Sequence, residues 1–256
     1  MRSAPGGRGQ SVGDGPRVLV DATAVPADRG GVGRYVDQLL PALAELGADL
    51  AVVCQRRDEA FYRELLPGAR VRAAPEAIAR RPVRLAWEQV GLPRVAREVG
   101  AQVLHCPHYT MPMAAGLPVV TTLHDATFFT HPEVHQPVKR TFFRAWTTVS
   151  LRRARRCVVP SQATLDELSR VTRGVHGQVE VAHHGVDAAR FHVPSDEEVA
   201  AAREHLGLRA GRYVAFLGTI EPRKNVPALI EGWQRAVAEL PDPPALREAR
   251  ARLAAA

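Results

Sequence analysis

Cysteine is scarce in this sequence: Cys54, Cys106 and Cys157 are the only three in 256 residues, far apart and set among apolar neighbours. An odd, scattered set suits reduced thiols in a cytosolic protein better than a disulfide framework. Long apolar runs are lacking as well. The longest stretch without a formal charge, 99–124, is interrupted by three prolines, three histidines and a glutamine, which rules it out as a membrane span. The opening residues 1–16, MRSAPGGRGQSVGDGP, have no apolar core of the signal-peptide kind and read as a disordered lead-in. Acidic residues are missing from 134–165, where Lys139, Arg140, Arg144, Arg152, Arg153, Arg155 and Arg156 stand without one Asp or Glu. These seven cations account for the whole formal charge of +7, so the basicity is local. That distribution, with no recognisable nucleic-acid module, argues against a nucleic-acid partner. His105, His108, His131, His183 and His184 form no metal-ligand spacing, and no internal repeat or long low-complexity tract is present.

What is there is an alternation. RVLVD at 17–21 is a buried-strand run, followed by Val32, Tyr35, Leu39, Leu43 and Leu46 at helical intervals up to Gly47, a C-cap residue. DLAVVC is the next strand, then a short helix near 58–66 and a strand around 70–73. A helical stretch over 83–98 is expected to break at Pro93. The runs QVLHC and PVVTTLHD are of strand length, each with a histidine near its end. A helix from about 137 to 156, the strand RCVVP, a helix opened by Ser161 as N-cap, and the strand VEVAH complete the series. Strands alternating with helices predict an α/β fold: a Rossmann-like parallel sheet with helices on both faces. This domain is expected over 17–192, a linker and polar helix over 193–210, and an incomplete second Rossmann-like domain over 211–256, restarting with the strand YVAFLG.

The chemistry concentrates in FLGTIEPRKN, residues 216–225. A strand ending at Gly218, a turn through Pro222 and a helix carrying Val226, Leu229, Ile230 and Trp233 would place Arg223 and Lys224 at a helix N-terminus. In an open parallel sheet the strand C-ends and the positive end of the helix dipole make an anion site. A lone Pro-Arg-Lys reads first as a solvated turn whose cations pair with local carboxylates. The first loop, Asp28 to Tyr35, holds Gly30 and Gly31 but lacks the third glycine of a dinucleotide fingerprint and the GK[ST] ending of a phosphate loop. Its glycines either allow a ligand close to the backbone or satisfy turn geometry. His124 and Asp125 follow PVVTTL at another strand C-end, with no G-x-S-x-G elbow to suggest a hydrolase.

Taken in order, RGGVGRYV, LHDATFFTHPE, VVPSQATLDEL, HHGVDAARF and FLGTIEPRKN resemble the family 4 glycosyltransferases, retaining enzymes with two facing Rossmann-like domains, the GT-B fold. The resemblance covers about 17–240. It implies a nucleotide-sugar donor and a glycan or lipid-linked acceptor, with hexosyl transfer, mannosyl or glucosyl, in the cytoplasm. By family position, Gly30, Gly31, Gly218, Arg223 and Lys224 would bind the donor and its diphosphate, while His124 and Asp125 would lie at the reaction centre. Developing charge on a departing diphosphate is what preorganised cations stabilise. Some relatives carry an arginine where Thr219 stands. The Asp-x-Asp pair of metal-dependent glycosyltransferases is absent, so neither metal nor other cofactor is expected.

Two further expectations follow. Plotted as a helix, 137–156 gathers Phe142, Phe143, Trp146 and Val149 on one arc and Arg140, Arg144 and Arg155 opposite. This reads as aromatics packed on the sheet with solvated arginines, or as a peripheral contact with an anionic membrane at its inner face. The change of composition at PDPPALREARARLAAA is expected to mark a truncated second domain. The competing reading is then a non-catalytic remnant, an acceptor- or membrane-binding domain that needs a complementing chain.

Overall fold

The computed structural model describes residues 15–172, 179–208, 214–218, 220 and 224–238. The chain divides after His184 into two compact units.

In the first unit, seven short strands form one parallel sheet: β1 (Val18–Asp21), β2 (Leu50–Cys54), β3 (Arg70–Ala73), β4 (Val103–Cys106), β5 (Val119–Thr122), β6 (Arg156–Val159) and β7 (Val179–Val181). Their spatial order is β3-β2-β1-β4-β5-β6-β7. The chain runs outward from β1 to β3, returns to lay β4 beside β1 with Leu19 opposite Leu104, and continues to the other edge. The direction of winding therefore reverses between β1 and β4. In open α/β sheets the loops leaving such a pair diverge and open a crevice at the strand C-ends. The expected Rossmann-like α/β fold is the one observed.

The core follows from side-chain alternation along these strands. Val20 and Val52 face one side with Val36 and Leu40 of α1 (Gly30–Glu45) and Tyr62 of α2 (Glu59–Leu65). Leu19, Ala51, Val53 and Leu104 face the other, with Leu92 and Ala96 of α3 (Arg81–Glu98), Leu151 of α5 (Pro137–Arg153) and Leu168 of α6 (Gln162–Val171). Each fully buried leucine contributes about 1.5–3 kcal/mol. The three cysteines are buried free thiols, and burial pushes those of Cys54 and Cys157 up to about 12, so they are inert packing groups.

Three details depart from the sequence pattern. In α1 the buried residues are Gly33, Val36 and Leu40, one position off the apolar series that starts at Val32. Gly33 fits the offset: a Cβ there would meet Arg29 Cβ at 3.0 Å and Val25 Cγ1 at 3.2 Å, tighter than ordinary contact, so glycine favours the close approach of this turn. Second, α3 runs unbroken through Pro93, because Leu92, Pro93 and Ala96 are buried together and that packing offsets the missing backbone donor. Third, the deepest residues of α5 are Thr147, Ser150 and Leu151, and the helix ends at Arg153 rather than near 156.

In the second unit, α7 (Asp196–Leu206) is built from local signals alone, with no buried residue. Ser195 and Glu198 form a reciprocal capping box, and Gly207, at φ 64°, closes the far end. The expected strand at YVAFLG is not found: described residues 214–217 have no strand pairing, and Val214, Phe216, Leu217 and Ile220 are exposed. A parallel strand is stabilised by neighbours on its edges, and none pairs here among the described residues. The helix expected after it is present as α8 (Val226–Ala238).

Candidate functional site

The C-ends of β1, β4, β5 and β7 bring one aromatic and imidazole cluster together, beside the point where the winding reverses. At its centre is His124, just beyond β5. Its Nε2 lies 2.8 Å from the Pro107 carbonyl oxygen, so that nitrogen carries the proton and donates. Burial lowers the His124 pKa, with His184 adding to the effect, and the ring is neutral at physiological pH. Nδ1 is then left with a lone pair, and no described residue donates to it.

Tyr35 forms one wall. Its ring meets His124 edge-on, at 5.1 Å between centroids, and stacks on His184 at 4.8 Å. The Tyr35 hydroxyl is 3.4 Å from Thr122 Oγ1, which in turn lies 2.9 Å from His105 Nε2. Because Gly31 is four residues before Tyr35 in α1, both lie on the same helix face. The offset of the α1 core stripe is what leaves Tyr35 free to point this way.

Tyr109 forms the other wall and is the most constrained residue of the site. Its φ is 54°, a left-handed conformation unusual for a bulky side chain. Its N–H donates to the Thr122 carbonyl at 3.0 Å, and its own carbonyl accepts the Ser150 hydroxyl at 2.6 Å. The small buried Ser150 thus explains why α5 approaches so closely. The Tyr109 hydroxyl accepts the Asp125 N–H at 3.0 Å, fixing the backbone directly after His124. From α3, Glu88 accepts the Thr110 hydroxyl at 2.6 Å and Arg84 at 2.9 Å, anchoring the same loop.

His105 and His108 complete the cluster. Burial drives them down to about 4 and about 3, with His124 contributing in both cases, so they are neutral polar groups rather than cations. Among the described residues no three His, Cys, Asp or Glu side chains converge as metal ligands. Asp125 directs Oδ1 at its own turn, accepting Thr127 N–H at 3.0 Å and Thr127 Oγ1–H at 2.8 Å ahead of α4 (Thr127–Thr130). This geometry makes Asp125 a residue that shapes the loop on which His124 sits.

Gly30 and Gly31 begin α1. Gly30 has φ 52°, and open space surrounds the Cβ position of both. The turn is held from below by Arg29, which pairs with Asp37 and with the buried Asp58, each at 3.1 Å, and lies over the Phe61 ring. In the second unit Lys224 is exposed, two residues before α8, and forms no ion pair with a described residue. Asn225, at φ 47°, offers its carbonyl to the Leu229 N–H. Gly218 lies in a bend and Arg223 lies outside the described residues.

Sequence reasoning singled out His124, Asp125, Gly30 and Gly31, which the first unit gathers at its strand C-ends. It missed Tyr35, Tyr109 and His184 as site residues. The hints in the sequence were Tyr35 at i+4 from Gly31 and His184 within HHGVDAARF, whereas the contacts of Tyr109 are tertiary.

The model of Glycosyltransferase Family 4 matches residues 29–190. A D-inositol 3-phosphate glycosyltransferase of Mycolicibacterium gilvum is 41% identical over 90 residues, 35% of this chain and 19% of that protein. Among solved structures, Anabaena Alr3699/HepE in complex with UDP-glucose superposes with a TM-score of 0.61 at 17% identity, covering 86% of this chain and 58% of that one. A glycosyltransferase from Rickettsia africae ESF-5 gives 0.50 at 12% identity, covering 77% and 51%. The chain thus spans little more than half of the solved structures it resembles.

Proposed function

Because this chain belongs to Glycosyltransferase Family 4, we propose that it takes part in transfer of a sugar from a nucleotide-sugar donor to a glycan or lipid-linked acceptor, in the cytoplasm and with retention of configuration. The observation that carries this reading is the neutral His124, its Nε2–H committed to Pro107 and its Nδ1 open at the strand C-ends. A neutral imidazole accepts a hydrogen bond from a sugar hydroxyl without placing a second positive charge beside an oxocarbenium-like centre. Gly30 and Gly31 allow close approach of donor to the first turn of α1, whose dipole favours negative charge. Gly218, Arg223 and Lys224 belong to the diphosphate side of the donor, where cations stabilise the leaving group as the glycosyl bond breaks. Asp125 acts by holding the loop of His124.

The transferred unit is a hexose, glucosyl or mannosyl. The HepE complexes contain UDP-glucose, UDP and glucose, which makes UDP-glucose the first donor to assay. The mycolicibacterial relative makes D-inositol 3-phosphate a first acceptor. Nucleoside diphosphate release and labelled-sugar transfer by the purified full chain test the reading. Turnover that falls about 10²–10³-fold in Lys224→Ala, with circular dichroism unchanged, is the expected result. Unchanged turnover removes Lys224 from the donor site, and no transfer from any nucleotide sugar refutes the activity.

A second reading is favoured by the exposed apolar residues at 214–220. In it the chain binds acceptor without turnover until another polypeptide covers that run. Calorimetry with UDP separates the two, since micromolar binding by the chain alone contradicts the second.

A further inference from the structure

The seven cations of 134–165 do not share one face. Arg144 donates to the carbonyls of Phe128 (2.6 Å) and Phe129 (3.3 Å), and Arg156 pairs with Glu180 at 3.4 Å. Lys139 and Arg140 stand in the first turn of α5. Arg152, Arg153 and Arg155 stand at its other end and in the turn before β6, all exposed and none paired with a described carboxylate.

These three arginines rim a groove of about 450 Å³ whose remaining wall is the loop from Met111 to Val119. Val119 begins β5 and Arg156 begins β6, so the groove lies at the N-terminal edge of the sheet, opposite His124. The loop that forms this wall is held in place by hydrogen bonds. Gln89 donates to the Met111 carbonyl at 3.2 Å and accepts the Met113 N–H at 2.9 Å, and Arg155 N–H donates to the Val119 carbonyl at 2.8 Å. Met111 is buried beneath the groove, while Met113 is 43% exposed. Cations at a helix C-terminus complement its dipole, which accounts for Arg152 and Arg153. It does not account for Arg155 beyond the helix, nor for the exposed Met113 that lines the same groove with the half-buried Ala115 and Leu117.

We propose that this groove binds a phosphate ester carried on an apolar group, the phosphate on Arg152, Arg153 and Arg155 and the apolar part against Met113 and Leu117. Guanidinium groups pair with phosphate by charge and by forked hydrogen bonds, and three of them beside an exposed methionine select an amphiphile over a free ion. The ester comes either from a phospholipid at a membrane surface or from a soluble molecule.

The full chain is floated with vesicles of phosphatidylcholine mixed with phosphatidylglycerol, and with phosphatidylcholine alone. In parallel it is titrated by calorimetry with monomeric dihexanoyl phosphatidylglycerol and with inorganic phosphate. Binding to the anionic vesicles identifies a lipid surface, and binding to the short-chain ester alone identifies a soluble source. In either case the combined Arg152→Gln, Arg153→Gln, Arg155→Gln variant loses affinity on the order of 100-fold. Met113→Asp also loses it, and Lys139→Gln with Arg140→Gln does not. The proposal is overturned if neither ester form binds, if the triple variant binds as well as the wild type, if the Lys139 and Arg140 variant loses as much, or if inorganic phosphate binds as tightly as the ester. None of these measurements requires sugar transfer.

Discussion

Tyr35 meets the imidazole of His124 edge-on, with ring centroids 5.1 Å apart and planes at 85°, while the same tyrosine stacks on His184. One aromatic ring from α1 thereby joins the loops after β5 and β7, and the position of His124 depends on a residue that has no titratable role of its own. Removing the ring in Tyr35→Ala is expected to lower turnover about 10–100-fold through misplacement of His124. The His124 pKa should rise toward its ordinary value as water enters. Tyr35→Phe, which loses only the 3.4 Å contact to Thr122, should keep both properties close to wild type. Turnover assays and imidazole proton NMR check this; a His124 titration unchanged in Tyr35→Ala would contradict it.

Stability should depend on pH through the buried histidines. His105 and His108 titrate in the folded chain near 4 and near 3, below the ordinary 6.5, because burial disfavours their charged forms. Between those values and 6.5 the unfolded chain binds more protons than the folded one, so stability falls as pH drops through that window. Burial raises the carboxyls of Asp21 and Glu88, which act in the opposite sense by favouring the folded chain on the acid side. Comparison with a variant isolates the histidine effect. His105→Gln should lose less stability than wild type on acidification toward pH 4, by on the order of 3 kcal/mol, measured by urea midpoints across a pH series. Equal slopes would count against the assignment.

Arg29 should matter more for the fold than an exposed loop arginine does. Arg29→Ala leaves Asp37 and the buried Asp58 without their shared partner and strips the cation from above Phe61. The expected loss is about 3 kcal/mol, at the low end for a broken buried pair because Arg57 remains 3.4 Å from Asp58. Arg29→Lys should lose nearly as much, since one ammonium cannot fork to both carboxylates. Urea denaturation measures this, and a loss within that of ordinary surface substitutions would refute the anchoring role.

Much of the fold was legible because a central strand such as β2 is buried on both faces, which writes it as the continuous apolar run LAVVC. Local signals sufficed elsewhere: Ser161 caps α6 through the Thr164 N–H, as its place before an amphipathic run predicts. The pattern failed where distant contacts decide the outcome. Pro93 stays inside a helix because its neighbours are buried, and the apolar run at 214–217 stays out of a sheet because no described strand pairs with it. The site divides in the same way. His124 was visible as a histidine at a strand end. Tyr109 was not, because its role comes from a left-handed backbone fixed by Thr122 and Ser150, residues remote in sequence.

The measurement that bears most directly on the whole account is nucleoside diphosphate release from UDP-glucose by the full chain and by His124→Ala, each shown to be folded by circular dichroism and by its urea midpoint. Wild-type turnover that falls about 10²–10³-fold in the variant is the predicted result. Equal rates in the two folded proteins would contradict it and move the chemistry away from β5.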